Sequence, residues 1–329
     1  MSNVLNISTM VILLPVFASA GELDDPYASS NRSPFIQVYG LPAAESGKLT
    51  KQAAMQWGLQ LEAASNATYS RSGDEFIIID GESHRVNLQF RYGVTHDIEL
   101  GLDIPYLRHE GGRLDGFIND WHDFFSLPEG DRPNLPQDQL AYNYQQGDNT
   151  IVNVMQASDG LGDVRINLAY QLSNTDTRQW ALRGGIKLPT GDAQFLQGSE
   201  STDIFLGANV SDQALLQAYN MRLHASAGVL WTGDSEVIDQ AREDWVVYGS
   251  STLSWRYSPR LSFKTQVDFH SAVYDSALAE LGEGSAQLVL GGAVQVTDNW
   301  VLDLSVSEDI AVNTASDVVF QLGLTLLDY

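Results

Sequence analysis

The 329-residue chain contains no cysteine, so neither a disulfide nor a thiolate metal site holds it together, and catalysis by a cysteine nucleophile is excluded. Basic residues are scarce: 18 Lys and Arg stand against 42 Asp and Glu, for a formal net charge of -24. A surface of that sign repels nucleic acid and anionic membranes and favours cations. Beyond residue 20 no stretch reaches the ~18 uninterrupted apolar residues that a membrane helix needs, which excludes a helical membrane protein.

What is present begins with an export signal. An apolar core from Met10 to Phe17 leads to Ala18-Ser19-Ala20, an A-x-A cleavage site before Gly21, although no Lys or Arg precedes the core. The expected division is a signal peptide at 1–20, an N-terminal periplasmic or plug segment at 21–52, and a barrel over 53–329. The middle segment carries a compact apolar motif, Ser33-Pro-Phe-Ile-Gln-Val-Tyr-Gly-Leu-Pro42, which no membrane strand requires.

From residue 53 onward apolar and polar side chains alternate in runs of about 10 residues, the period of strands with two unlike faces. Twelve runs are found, at 55–62, 85–92, 98–104, 163–170, 180–188, 204–210, 219–231, 247–257, 261–269, 286–296, 300–306 and 318–326. No Asp, Glu, Lys or Arg occupies the apolar phase of any of them. Strands of a soluble sandwich also alternate, but they are nearer 5–6 residues long. An apolar band facing hydrocarbon accounts for both the length and the strictness, because a charge facing lipid at the midplane costs about 2–4 kcal/mol. The fold expected is all-β: a transmembrane antiparallel β-barrel of about twelve strands, with a short helix in one long extracellular loop.

The connections alternate between short (95–97, 173–177, 211–217, 258–260, 297–299) and long (65–75, 108–160, 189–202, 232–244, 274–284, 308–316). Short turns on one rim and long loops on the other are the habit of outer-membrane barrels, and both chain ends then lie in the periplasm. Tyr92, Tyr170, Trp180, Tyr219, Tyr257 and Trp300 mark one aromatic girdle, and Tyr69, Tyr106, Trp231 and Trp245 the other.

The polar phase supplies the candidate lumen residues. The acids are Glu62, Glu99, Asp103, Asp163, Asp203, Asp268 and Asp303; the bases are Arg85, Arg91, Arg165, Arg183, Lys187, Arg222, Arg256 and Lys264, with His224 and His270 beside them. Acids and bases nearly balance, so the acidic excess belongs to the loops and the N-terminal segment. Mixed rows of this kind either line a solute path or pair across strands and fill a narrow barrel.

Catalysis finds no clear footing. His224 and Ser226 share a face, while Asp268 and His270 lie two strands away, and two spacings of about 4.8 Å keep such groups out of hydrogen-bond contact. Within 108–160, Phe117, Ile118, Trp121, Phe124 and Phe125 recur at helical spacing, with Leu127-Pro128 as the stop. Around them Asp115, Asp120, His122 and Asp123, with Trp121, are candidate mouth residues, but they match no metal-binding spacing. Gly160-Leu-Gly-Asp-Val164 and Lys187-Leu-Pro-Thr-Gly-Asp192 are not phosphate loops, since no Gly-Lys-Ser/Thr element follows. Neither a metal nor a cofactor is expected.

Ser33 to Pro42, Gly111-Gly-Arg-Leu-Asp-Gly-Phe-Ile-Asn-Asp-Trp-His122 and Lys187 to Asp192 together resemble a proteobacterial family known as domain of unknown function 3187. The resemblance spans most of the mature chain and implies a barrel without catalytic residues to carry over. More loosely, Gly160 to Val164 and Lys187 to Asp192 are similar to segments of barrels implicated in uptake of hydrophobic or aromatic compounds. The ending Phe320-Gln-Leu-Gly-Leu-Thr-Leu-Leu-Asp-Tyr329 resembles the C-terminal signal read by the outer-membrane assembly machinery. These features point to a non-enzymatic barrel of a Gram-negative outer membrane, exported after cleavage near Ala20. Its partners would be outer-membrane lipid, lipopolysaccharide, the assembly machinery and a small-molecule solute, with nucleic acid excluded. A lipid-acting barrel enzyme and a structural or adhesive surface protein are the alternatives.

Overall fold

The computed structural model describes residues 22–125, 132–310 and 313–328. The export signal, the Leu127-Pro128 stop and Tyr329 lie outside them. Fifteen strands are formed: β1 (Met55–Ser72), β2 (Glu75–Gly93), β3 (Ile98–Glu110), β4 (Ala141–Gln146), β5 (Asn149–Val154), β6 (Ser158–Leu161), β7 (Arg165–Asn174), β8 (Arg178–Lys187), β9 (Asp203–Asp212), β10 (Met221–Trp231), β11 (Trp245–Ser258), β12 (Leu261–His270), β13 (Ser285–Gln295), β14 (Trp300–Asp309) and β15 (Val318–Asp328). Helix α1 (Asp115–Phe125) occupies the long loop, and a single turn, α2 (Ala279–Gly282), follows β12.

Twelve of these strands, β1 to β3 and β7 to β15, pair antiparallel in sequence order, and β15 closes the ring on β1. Each carries one of the twelve alternating runs, which extends past the strand by two residues at most. Along the ring Leu168, Leu206, Leu290 and Leu304 stand about half exposed, an arrangement that pays off only in hydrocarbon. Both aromatic sets lie exposed at the two rims, and Trp231 pairs across from Trp245 at the loop rim. The chain is therefore a transmembrane β-barrel.

The region expected as a loop at 65–75 is not one. β1 and β2 continue beyond the apolar band and reverse in two residues, Gly73 and Asp74, with Gly73 supplying a φ of +60°. At about 3.4 Å per residue these strands are roughly twice as long as the ~25 Å apolar band demands. In the extension the faces exchange character. Inside the membrane the inward side chains of β2 are polar (Arg85, Asn87, Gln89, Arg91), whereas above it Ile77 and Ile79 on the same phase are buried in an apolar cluster. Water now bathes the outside, so the sheet buries its apolar side like that of a soluble protein. β4 pairs with this extension and adds Tyr142 and Tyr144, both fully buried.

Leu290 lies mid-strand on the lipid side, opposite Thr265 and Val306. Leu290→Arg is expected to lower folding stability by about 2–4 kcal/mol in vesicles, measured by urea titration, against less than about 1 kcal/mol for Leu290→Ile.

Candidate functional site

The inward candidates converge on one another and on a third party. All of them except Arg256 and Asp303 are buried, because residues 22–52 run inside the ring as two arms. The first arm climbs beside β12 in step with its inward side chains. Asp25 O accepts from Lys264 Nζ (2.9 Å) and Tyr27 N donates to Gln266 Oε1 (2.9 Å). Ser29 then donates to Asp268, and Asn31 Nδ2 meets His270 Nε2 (2.9 Å). Asp24 anchors the start on Arg256 (2.6 Å).

At the loop rim the chain turns over residues 33–39. Phe35, Ile36, Val38 and Tyr39 enter the same apolar cluster as Ile77, Ile79, Tyr142 and Tyr144, joined there by Leu230, Val246, Val273 and Leu278. Tyr274 donates to Phe35 O (2.8 Å) and packs edge-on against Tyr39, with ring centroids 5.7 Å apart. Burial pushes the Tyr39 hydroxyl up to about 12, so it remains protonated. This cluster closes the outer end of the barrel.

The second arm descends along β7 to β9. Gly40 N donates to Asp203 Oδ2 (2.8 Å), and Arg165 donates to Leu41 O (2.8 Å). Glu45 lies 3.0 Å from both Arg91 and Arg183. Gly47 N donates to Ser211 Oγ (2.9 Å); a Cβ here would come within 2.5 Å of Gln179 O, so only glycine permits this approach. Leu49 N reaches Gln171 (3.0 Å) and Thr50 N reaches Glu99 (2.6 Å).

Many of the same charges also pair with one another across the wall. Lys187 sits 2.7 Å from Asp163 and 3.1 Å from Asp203, with all three side chains at most 5% exposed. Arg91 binds Asp103 (2.8 Å), Arg183 binds Glu99 (2.7 Å), and Lys264 pairs with Asp303. Glu62 faces Arg32 (2.9 Å) and Arg85 (3.6 Å), and Arg222 donates to Gln213 (3.1 Å). Toward the turn rim the packing leaves a cavity of about 170 Å³, lined by Glu45, Arg91, Glu99, Asp103, Arg165 and Arg183 among others.

Among the described residues, main-chain to main-chain bonds tie this segment to the wall only at its end, where Gln52 bridges Gly93 and Ala53 N donates to Gly93 O (2.7 Å). The other polar links named above each use a side chain.

The mouth candidates take another position. Helix α1 lies against the outer flank of the barrel, not over its opening: the Phe117 ring is 5.6 Å from that of Phe320 on the lipid-facing phase of β15. Arg132 ties the loop to Asp115 (2.8 Å), Ser65 (2.9 Å) and Asp317 (2.9 Å). Small outward side chains at Ser65 and Ala67 leave room for this covering. Asp115 also accepts from Asp138 N (2.9 Å), while Asp120 and Asp123 are exposed. Trp121 and His122 lie on the helix, but their side chains are outside the described residues.

His224 and Ser226 do not form a catalytic pair. His224 Nδ1 meets Ser211 Oγ (2.8 Å), Ser226 bonds to Ser250 (2.7 Å), and Asp268 is engaged by Ser29 and Gln266. Arg32 and Glu45, central to the interior, were not singled out from sequence; the alternation of Asp25, Tyr27, Ser29 and Asn31 in step with β12 was the available signal. Glu82, His84 and Glu110, outside on the loop rim, were also missed.

A family model described as a protein of unknown function (DUF3187) matches residues 3–326. The chain belongs to that family. No curated protein sequence matches it significantly. Among solved structures, the COG4313 outer membrane channel from Pseudomonas putida F1 superimposes with a TM-score of 0.55 at 11% identity, over 85% of this chain and 97% of that one. This is a likeness of fold. The NanC porin (TM-score 0.45, 9% identity, 82% and 98% covered) and the P. putida toluene transporter TodX (0.37, 11%, 83% and 88%) are more distant barrels.

Removing the ammonium of Lys187 strands two buried carboxylates, so this DUF3187 barrel is expected to lose about 3–5 kcal/mol in Lys187→Met. Arg178→Ala, which removes a half-exposed partner of Asp212, should cost about 1 kcal/mol or less. Urea midpoints of the two variants provide the comparison.

Proposed function

We propose that the protein is an outer-membrane channel for a small polar solute, held shut by its own residues 22–52. The observation that carries this reading is the manner in which the segment is held. It fills the ring without being woven into it: along both arms its polar contacts with the wall are mostly side-chain hydrogen bonds and ion pairs that water can replace, and its apolar packing is concentrated at the tip, Phe35 to Leu41. A barrel stiffened for purely structural ends gains nothing from a removable filling. The charged cavity beneath the second arm offers both signs of charge to a solute, which suits a polar molecule better than a hydrocarbon. The apolar cluster over the mouth forms the outer seal.

In this reading the signal at 1–20 exports the chain and the turn rim faces the periplasm. Outer-membrane lipid and lipopolysaccharide surround the apolar belt, and β15 with its terminal aromatic is the element that the assembly machinery recognises. Among the described residues His224 and Ser226 bond to other partners and not to each other, so the lipid-acting enzyme is the weaker reading.

Planar-bilayer recording tests the proposal. The full barrel should show little or no current, and deletion of residues 22–50 should give stepwise openings. Absence of openings in the deletion variant, with the barrel shown folded by its heat-dependent gel mobility, would rule the channel out. Glu45→Gln should produce brief openings, because it leaves Arg91 and Arg183 one carboxylate short and loosens the second arm.

A further inference from the structure

On the outside of the barrel, above the apolar band, β2 and β3 carry a polar group that the lumen does not use. Glu82 pairs across from Glu110, and His84 lies two residues along on the same outward phase, opposite Arg108. His84 Nε2 points between two carboxylate oxygens, Glu82 Oε2 at 3.2 Å and Glu110 Oε1 at 3.3 Å. All three atoms lie within 4.8 Å of one another. The imidazole nitrogen is buried and makes no geometrically sound hydrogen bond.

The remaining oxygens are already committed. Glu82 Oε1 accepts from Arg113 N (2.8 Å) and Leu114 N (2.6 Å), and Glu110 Oε2 accepts from Arg108 Nε (2.9 Å) and Nη2 (2.6 Å). Each carboxylate is thus oriented by donors on one oxygen and presents the other inward, the outer-shell pattern that positions metal ligands. A ring nitrogen carries one proton and can satisfy only one of two converging acceptors. A divalent cation would bond all three atoms and cancel both negative charges.

We propose that Glu82, His84 and Glu110 form a binding site for one divalent transition-metal ion of the zinc class. The separations of 3.2 and 3.3 Å match the edge of about 3.3 Å for a tetrahedron with ligands about 2.0 Å from its centre. One imidazole and two carboxylates select such an ion over magnesium or calcium, which take six or more oxygens. With three protein ligands the fourth position of the tetrahedron falls to water. Because Glu82 also holds the backbone of Arg113 and Leu114, at the entrance to α1, the ion fastens the covering loop to the barrel wall.

The test uses the tag-free barrel in detergent, stripped with chelator and titrated calorimetrically with zinc chloride. One equivalent should bind at micromolar affinity or better in the presence of millimolar magnesium. Affinity should fall in Glu110→Gln and His84→Gln by at least the roughly 10–100-fold that loss of a mere outer-shell partner brings. Bound zinc should also slow proteolytic cleavage within 111–139 in the wild type and not in the variants. The proposal is overturned by a wild type that binds no zinc, or by variants that bind it as tightly as the wild type. Should His84→Gln fail to give the folded gel mobility, Glu110→Gln decides the matter.

Discussion

Charge buried away from water must be answered by charge or by hydrogen bonds, and this requirement governs the interior of the barrel. Within the twelve runs the lipid-facing phase is free of Asp, Glu, Lys and Arg, so every charge the wall carries there is turned inward. A ring of twelve strands is too narrow to leave all of those charges in bulk water and too wide for its own side chains to meet across the middle. Residues 22–52 resolve the mismatch. Glu45 bridges two arginines from different strands, Arg32 answers Glu62, and carbonyls of the segment receive Lys187 and Lys264. Acids and carbonyls of the segment complete a basic share of the wall, and the pairs that remain are drawn together across strands.

The same rule explains why the faces of β2 exchange character along its length. A side chain is not polar because it points inward or apolar because it points outward; it matches whatever solvent lies on its side. Within the band, lipid is outside and the polar segment inside. Above it, water is outside, and the tip of the segment joins Ile77, Ile79, Tyr142 and Tyr144 in a dry core. Helix α1 belongs to this upper region as a flank element. Its Phe117 and Phe124 remain 54% and 80% exposed, at the level where aromatic rings favour the boundary between headgroups and acyl chains.

Much of the wall was legible in the sequence, because alternation with uncharged phases is a signal that lipid enforces at every strand. Each of the twelve runs falls on a ring strand, overhanging it by two residues at most. The loop expected at 65–75 was misread for a physical reason: where the membrane ends, the phases invert, and a pattern such as Ile77-Ile78-Ile79 no longer reads as a two-faced strand. The placement of 22–52 was legible only as an alternative, since its contacts are long in sequence and depend on side-chain pairings that no local pattern specifies. Helix α1 was legible as a helix, but its position on the flank was not, because that depends on small side chains at Ser65 and Ala67 far earlier in the chain. Glu82, His84 and Glu110 went unseen because strand register, not spacing, brings them together.

The first arm's partnership with β12 fixes an order of events during folding. Tyr27 and Gln266 are separated by 239 positions, and Asn31 also reaches Thr314 O, 283 positions away. Wall strands find their partners mostly through adjacent hairpins, whose loops close at small entropic cost, whereas these links need almost the whole polypeptide in place. The seam between β1 and β15 spans a comparable distance, with Met55 opposite Asp328, so seating the first arm and closing the ring both wait until the last strand is in place.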